Sequence, residues 1–203
     1  MTDSPRRAWL AGTAGALLWP ELAWAGRQAE ESLADSVRSA LSAAVHDAAP
    51  PKPVFAHSDA RLAFFRWQAS VSERLKRRIA EPATRLEFLE TLWYEATRAG
   101  LEPALVLGLV EVESGFRKYA ISSAGARGYM QVMPFWARLI GDGEPARLFR
   151  MQTNLRFGCV ILRHYLVDLE RGDLHMALGR YNGSRGRAEY PNAVLAVRQR
   201  WLV

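Results

Sequence analysis

Apolar residues recur at helical spacing along most of the chain, and strict alternation is nearly absent, so the pattern predicts a mostly α protein. In the stretch 59–79, Leu62, Phe65, Ala69 and Leu75 fall near one helical face, with basic residues toward its end. In 84–100, Thr84 and Glu87 have the spacing of a capping box. Leu86, Leu89, Trp93 and Ala96 make the apolar stripe there, and Gly100 suits a C-terminal cap. The next helix opens at Pro103, a favoured first-turn residue, and ends near Ser114-Gly115. Further helices are predicted over about 153–170, 174–180 and 191–201. The first of these aligns Leu155, Cys159, Leu162, Leu166 and Leu169 on one stripe, which makes Cys159 a small buried hydrophobe. Ahead of all these, Leu33, Val37, Leu41 and Val45 mark a short amphipathic helix within 31–47.

The ends of the pattern divide the chain. Arg6-Arg7, a short apolar run and Ala23-Trp24-Ala25 have the order of a charged start, a hydrophobic centre and a small-x-small cleavage site. The run is shorter than the roughly 20 residues a bilayer needs, so residues 1–25 read as a removable export signal and no stable membrane insertion is expected. Arg6-Arg7 followed by Trp9-Leu10 resembles a twin-arginine signal, with Pro5 where a polar residue is usual. No cysteine lies near the cleavage point, so lipid anchoring there is not expected. Residues 26–57 are rich in Ala and Ser and close on "AAPPKPVFAHS", a linker composition. Residues 58–203 form the helical domain, one domain by length.

The charge is +6, from 27 Lys+Arg against 21 Asp+Glu. A basic surface attracts polyanions, but no RNP, zinc-finger or basic-zipper pattern is present, and nucleic acid is not expected as a partner. One cysteine excludes an internal disulfide and a cysteine-rich metal site. His46, His57, His164 and His175 lack ligand spacing, so neither metal nor cofactor is expected.

Two glutamates interrupt the apolar helix from Pro103. Glu113 shares a face with Val106, Leu109 and Val110, whereas Glu111 points roughly 200° away. They do not form a pair. Glu113 sits in the last turn, where the helix dipole opposes its charge and apolar neighbours desolvate it. Both raise its pKa, and an acid kept protonated near neutral pH can serve as a general acid; the bland alternative is a partly exposed helix end. Downstream, Gly125 and Gly128 bracket a segment in which Gln131 breaks an apolar run. That glutamine either satisfies a buried backbone group or reads a ligand amide. Tyr181-Asn182-Gly183 taken alone is ordinary turn chemistry.

Together, Glu113-Ser114-Gly115-Phe116, Gly128-Tyr129-Met130-Gln131-Val132-Met133-Pro134 and Gly179-Arg180-Tyr181-Asn182-Gly183 resemble the catalytic domain of the bacterial soluble lytic transglycosylases. "NLRFGCVILRHYL" resembles that family's Asn-x-x-x-Gly helix, and the likeness spans about 101–197. Tyr129 stands where leucine is usual, and Gly183-Ser184 where Ala-Gly is usual. The resemblance implies a lysozyme-like helical domain with a substrate cleft, acting on peptidoglycan strands in the periplasm. It implies Glu113 as the single catalytic acid/base. As substrate-binding residues it implies Ser114 beside the acid, Ser122 and Gly125 in a contacting loop, Gln131 and Met133 on the cleft floor, Tyr181 near the acid with Asn182 supporting its turn, and Tyr190 as a further cleft tyrosine. Rival readings are a hydrolytic lysozyme using Asp142 or Glu144 to activate water, and a non-catalytic wall-binding module.

Overall fold

The computed structural model describes residues 28, 30, 32–46 and 53–203, so the expected export signal lies outside the described residues. Within them the chain folds into α1 (Asp35–His46), α2 (Ser58–Leu75), α3 (Pro82–Arg98), α4 (Pro103–Ser114), α5 (Pro134–Ile140), α6 (Met151–His164), α7 (Leu174–Asn182) and α8 (Glu189–Gln199). A 3-10 turn (Pro145–Phe149) precedes α6 and a π turn (Tyr165–Leu169) follows it. The only β pairing among the described residues is a pair of isolated bridges, Ile121 with Arg127 and Arg127 with Val132. The mostly α expectation holds.

The architecture is organised around α4, buried continuously from Ala104 to Val110. An all-round apolar helix can only be a core helix, and α3 and α8 pack against it. The approach of α8 depends on Gly108, where a Cβ would sit 2.9 Å from Arg198 N and 3.0 Å from Val194 O. On the other side of α3 lies α6, which also carries α1 and the 3-10 turn, while α7 packs on α8 and the π turn.

Several helices rotate or start differently from the pattern. On α2, Leu62 and Phe65 are 53% and 46% exposed, and the buried face is Phe64, Trp67, Val71 and Leu75. The larger apolar surfaces set the phase: Phe64 and Trp67 pack on Trp93 with ring centroids 5.2 and 4.6 Å apart. The Thr84/Glu87 capping box does not form. Pro82 opens α3, and the Glu81 carboxylate caps it, accepting from Ala83 N and Thr84 N. Leu86 is consequently exposed, and Arg85 is buried in its place, donating to Ile79 O, Ala80 O and Ser72 Oγ to close the α2–α3 turn. On α6 the stripe holds through Leu155, Cys159 and Leu162 and then fails. The π turn, with Glu170 N donating to Tyr165 O, inserts extra rotation and leaves Leu169 exposed.

The expected linker region 26–57 contains more than a linker. Leu41 and Val45 of α1 are buried against α5 and α6. The C-terminal carbonyls of this helix are claimed by the domain: Arg98 Nη2 donates to Ala44 O at 2.7 Å and Arg156 Nη1 to Val45 O at 3.4 Å. Both guanidinia also hold the fully buried Glu95 carboxylate, Arg156 at 2.9 Å and Arg98 at 3.2 Å. No helix among the described residues is long and apolar enough to cross a membrane.

Candidate active site

Glu113 occupies the last turn of α4, and the chain leaves the helix through two consecutive left-handed residues, Gly115 (φ 57°) and Phe116 (φ 66°). Glycine adopts that conformation freely; phenylalanine does so against steric cost. Its buried ring compensates by packing edge-on against Phe88 and Trp201 at 5.9 and 5.5 Å. Further on, the chain returns to this helix end, where Tyr129 O accepts from Ser114 Oγ.

The Glu113 side chain is almost entirely buried, at 9% exposure. Its Oε1 accepts a short hydrogen bond from the Tyr190 hydroxyl, and its Oε2, also buried, has no partner. Burial pushes the carboxyl from an ordinary 4.5 up to about 8, and the Tyr190 bond pulls weakly the other way. Glu111 instead ties the C-terminus to α4, accepting from Trp201 Nε1 at 2.9 Å and lying 3.3 Å from Arg200 and 3.6 Å from Arg78.

The segment after Phe116 folds into a small knot. Arg127 and Val132 exchange both backbone hydrogen bonds at 3.0 Å, Gly128 N donates to Ala120 O, and Ser122 N donates to Ala126 O. Gly128 (φ 75°) also passes so near α6 that a Cβ would sit 2.4 Å from Asn154 Nδ2. Asn154 is the organiser: it accepts from Met130 N and donates to Arg127 O and Leu148 O, each at 2.8 Å. Gly158, one turn on, leaves room for the Met130 side chain, whose sulfur would lie 2.3 Å from a Cβ there. The knot is locked to the acid's surroundings by Ser114 Oγ, 2.7 Å from Tyr129 O, and by Tyr181 OH, donating to Met130 O at 2.8 Å.

The sequence-predicted residues therefore separate into groups. Glu113 and Tyr190 are brought together by the hydrogen bond from the Tyr190 hydroxyl. Tyr181 lies near enough that the charge on Glu113 helps raise its phenol pKa, after burial, but its hydroxyl holds Met130. Ser114 is buried at 1% exposure, with its hydroxyl within hydrogen-bond distance of Val110 O and Tyr129 O, and so ties the knot to the end of α4. Gln131 is buried with φ 49°, and its Nε2 donates to Gly128 O at 3.0 Å and Ala120 O at 3.2 Å. The side chain thus holds its own strained turn, leaving only Oε1 for any ligand. Ser122 accepts from Ala126 N within the knot, and Gly125 (φ 86°) serves the turn, with nothing within 4 Å of a Cβ. Met133 is half-buried as the cap residue of α5. Asn182 Nδ2 and Ser184 Oγ are buried donors without partners, so this turn keeps unused hydrogen-bonding capacity.

Three supports of the site are not marked by the sequence pattern as such. Asn154 is visible there only as part of a helix motif. Phe116 carries the backbone strain at the exit from α4. Glu170, held at about 2 by Arg185 and Arg180, clamps α7 to the loop leading into Tyr190. The hydrolytic candidates stand in another network: Asp142 pairs with Arg147 and accepts from Glu144 N at 3.0 Å. Burial raises the Glu113 carboxyl and the Tyr190 bond opposes that shift. No group of three or more possible metal ligands occurs among the described residues.

A helical domain with one buried acid at a helix end, faced by a tyrosine and a glycine-rich knot, defines the class. The chain belongs to the Transglycosylase SLT domain family, which matches residues 91–194, about half its length. It is 40% identical over 84 residues to the membrane-bound lytic murein transglycosylase C of Actinobacillus pleuropneumoniae, covering 37% of this chain and 23% of that protein. It is 32% identical over 106 residues to the transglycosylase of Enterobacteria phage PRD1, covering 52% and 38% respectively. The chain thus spans about a quarter to two fifths of these relatives' lengths. An inactive mutant of the lytic transglycosylase Slt from Pseudomonas aeruginosa superposes over 70% of this chain and 27% of its own, with a TM-score of 0.44 and 23% identity.

Proposed function

We propose that this chain is a peptidoglycan lytic transglycosylase with Glu113 as its single acid/base. The observation that carries the reading is the asymmetry of that carboxyl: one oxygen is fixed by Tyr190, the other is buried and unpartnered, and burial pushes the group up to about 8. Oε2–H donates to the glycosidic oxygen between N-acetylmuramic acid and N-acetylglucosamine. As the C1–O bond breaks, the N-acetylglucosamine side leaves as its 4-hydroxyl. The acetamido oxygen of the muramoyl ring closes on C1, a substrate-assisted course that needs no second carboxylate. Ionised Glu113 then takes the proton of the 6-hydroxyl, O6 bonds to C1, and the acetamido group is released. A 1,6-anhydro ring results and no water is consumed. The internal nucleophile is already close to C1, and such effective concentrations offset the missing base.

Gln131 Oε1 is the atom suited to accept an N-acetyl N–H, and Met133 and Asn182 are assigned to substrate binding by the family resemblance. The names of the relatives, together with the charged and apolar leader, support export to the cell envelope. Replacing Arg6-Arg7 by Lys-Lys retains the precursor inside the cell if the twin-arginine route is used. Mass spectrometry of muropeptides released from purified sacculi tests the reaction: anhydromuramoyl ends are expected. Reducing ends in their place would establish hydrolysis, and no release at all would leave a wall-binding module.

A further inference from the structure

A second concentration of chemistry stands on the outer side of the 117–133 knot. Lys118 Nζ lies 5.4 Å from the centroid of the Tyr119 ring, and the Arg127 guanidinium 5.5 Å from that of Phe149. The two rings are 6.0 Å apart and tilted by 46°, which makes one cluster of two cations and two aromatic faces. Tyr119 is 71% exposed and its neighbour Ile121 64%. Several other arginines are paired with acids, as at Glu95, Glu102, Glu111 and Glu170. Lys118 and Arg127 have no carboxylate partner among the described residues. A ring face holds a cation in place without neutralising it, so both charges remain available to an external anion.

The cluster is tied to the site. Ala120 O, next to Tyr119, accepts from both Gly128 N and Gln131 Nε2, and the Arg127 backbone is paired with Val132. Lys118 and Arg127 thus project from the same locked segment that carries Gln131. We propose that Lys118, Tyr119, Arg127 and Phe149 form a subsite for the carboxylate-bearing peptide stem of the strand on which Glu113 acts. The inference rests on the function proposed above. An anionic stem is favoured over another sugar because the rings already carry cations, and a neutral sugar leaves both charges unanswered. Arginine in addition offers a two-pronged donor matched to carboxylate.

The test uses the full chain and two polymers: wall strands with their stems, and the same strands after amidase has removed them. Wild type is expected to show a higher kcat/KM on stem-bearing strands. In the double variant Lys118→Gln, Arg127→Gln that preference ratio is expected to fall about tenfold, through KM rather than kcat, and to become less salt-sensitive. Tyr119→Ala is expected to lower the ratio in the same direction by loosening Lys118. Co-sedimentation of the Glu113→Gln protein, with and without the double substitution, reads the same preference without turnover. Equal binding of both polymers by the parent, or a ratio unmoved by the double substitution, overturns the subsite. Absence of anhydromuropeptides from wild type overturns the proposed reaction instead, and the sedimentation ratio still decides the stem question.

Discussion

Glu95 and Glu113 lie on neighbouring helices, and both are buried, yet their surroundings are opposites. Glu95 is held between Arg156 and Arg98, whose remaining donors reach the end of α1. Glu113 has no cation beside it among the described residues; it has one tyrosine hydroxyl and one oxygen facing nothing. Burial is common to both; the neighbouring cations are not. At Glu113, burial without a cation beside it pushes the carboxyl up to about 8.

The largest expected effect follows from replacing the unpaired acid. Glu113→Gln removes the transferable proton with little change of shape, and turnover is expected to fall on the order of 10²–10⁴-fold, measured as muropeptide release per folded molecule. Its stability moves the other way. The raised pKa means that the native state binds more protons than the unfolded chain between pH 4.5 and about 8. Wild type therefore loses about 1.4 kcal/mol of stability per pH unit across that window as pH rises. The Gln variant lacks this slope, so denaturant titrations at pH 5 and pH 8 are expected to converge for it and not for wild type. Activity of wild type on the alkaline side is expected to fall with a midpoint near pH 8, where the acid ionises.

Breaking the paired acid gives the converse. Glu95→Ala removes the carboxylate that holds the buried Arg156 and the partly exposed Arg98, and is expected to cost about 3–5 kcal/mol, on the order of 10 °C in Tm, with cleavage per folded molecule retained. A loss of specific activity with Tm unchanged would remove the distinction between the two glutamates. Tyr190→Phe sharpens it from the other side. That hydroxyl favours the ionised form, so its removal is expected to move the alkaline midpoint upward, and the loss of an orienting bond to slow turnover about tenfold. Gln131→Leu is expected to lower stability by about 1–3 kcal/mol, because Gly128 O and Ala120 O each lose the side-chain one of their two donors. Glu111→Gln is the smallest change: a slight fall in Tm from the weakened Trp201 contact and near-normal turnover.

Much of this is legible without the fold. The helix from Pro103 to Ser114, its abrupt stop and the separation of Glu111 from Glu113 all follow from local rules, because helix period and left-handed glycine are properties of short segments. The pattern misplaces the buried stripe on α2 because its phase depends on Trp93, a residue of another helix. Ser114 and Gln131 both reach backbone carbonyls of a loop whose path no local rule gives, so those partners are not legible in the sequence.

Sequence alone determined that the chain is helical and that a lone carboxyl ends its most apolar helix. It also marked the glycines and the glutamine that make the knot behind that carboxyl, since each is a demand on local backbone or local polarity. Tertiary structure alone decided which buried acid is met by a tyrosine and which by arginines. Tyr190, brought across by α8, meets Glu113, while Arg98 and Arg156 converge on Glu95. The electrostatic state of a buried group is set by what other elements carry into its few ångströms of surroundings, and those elements lie far away along the chain.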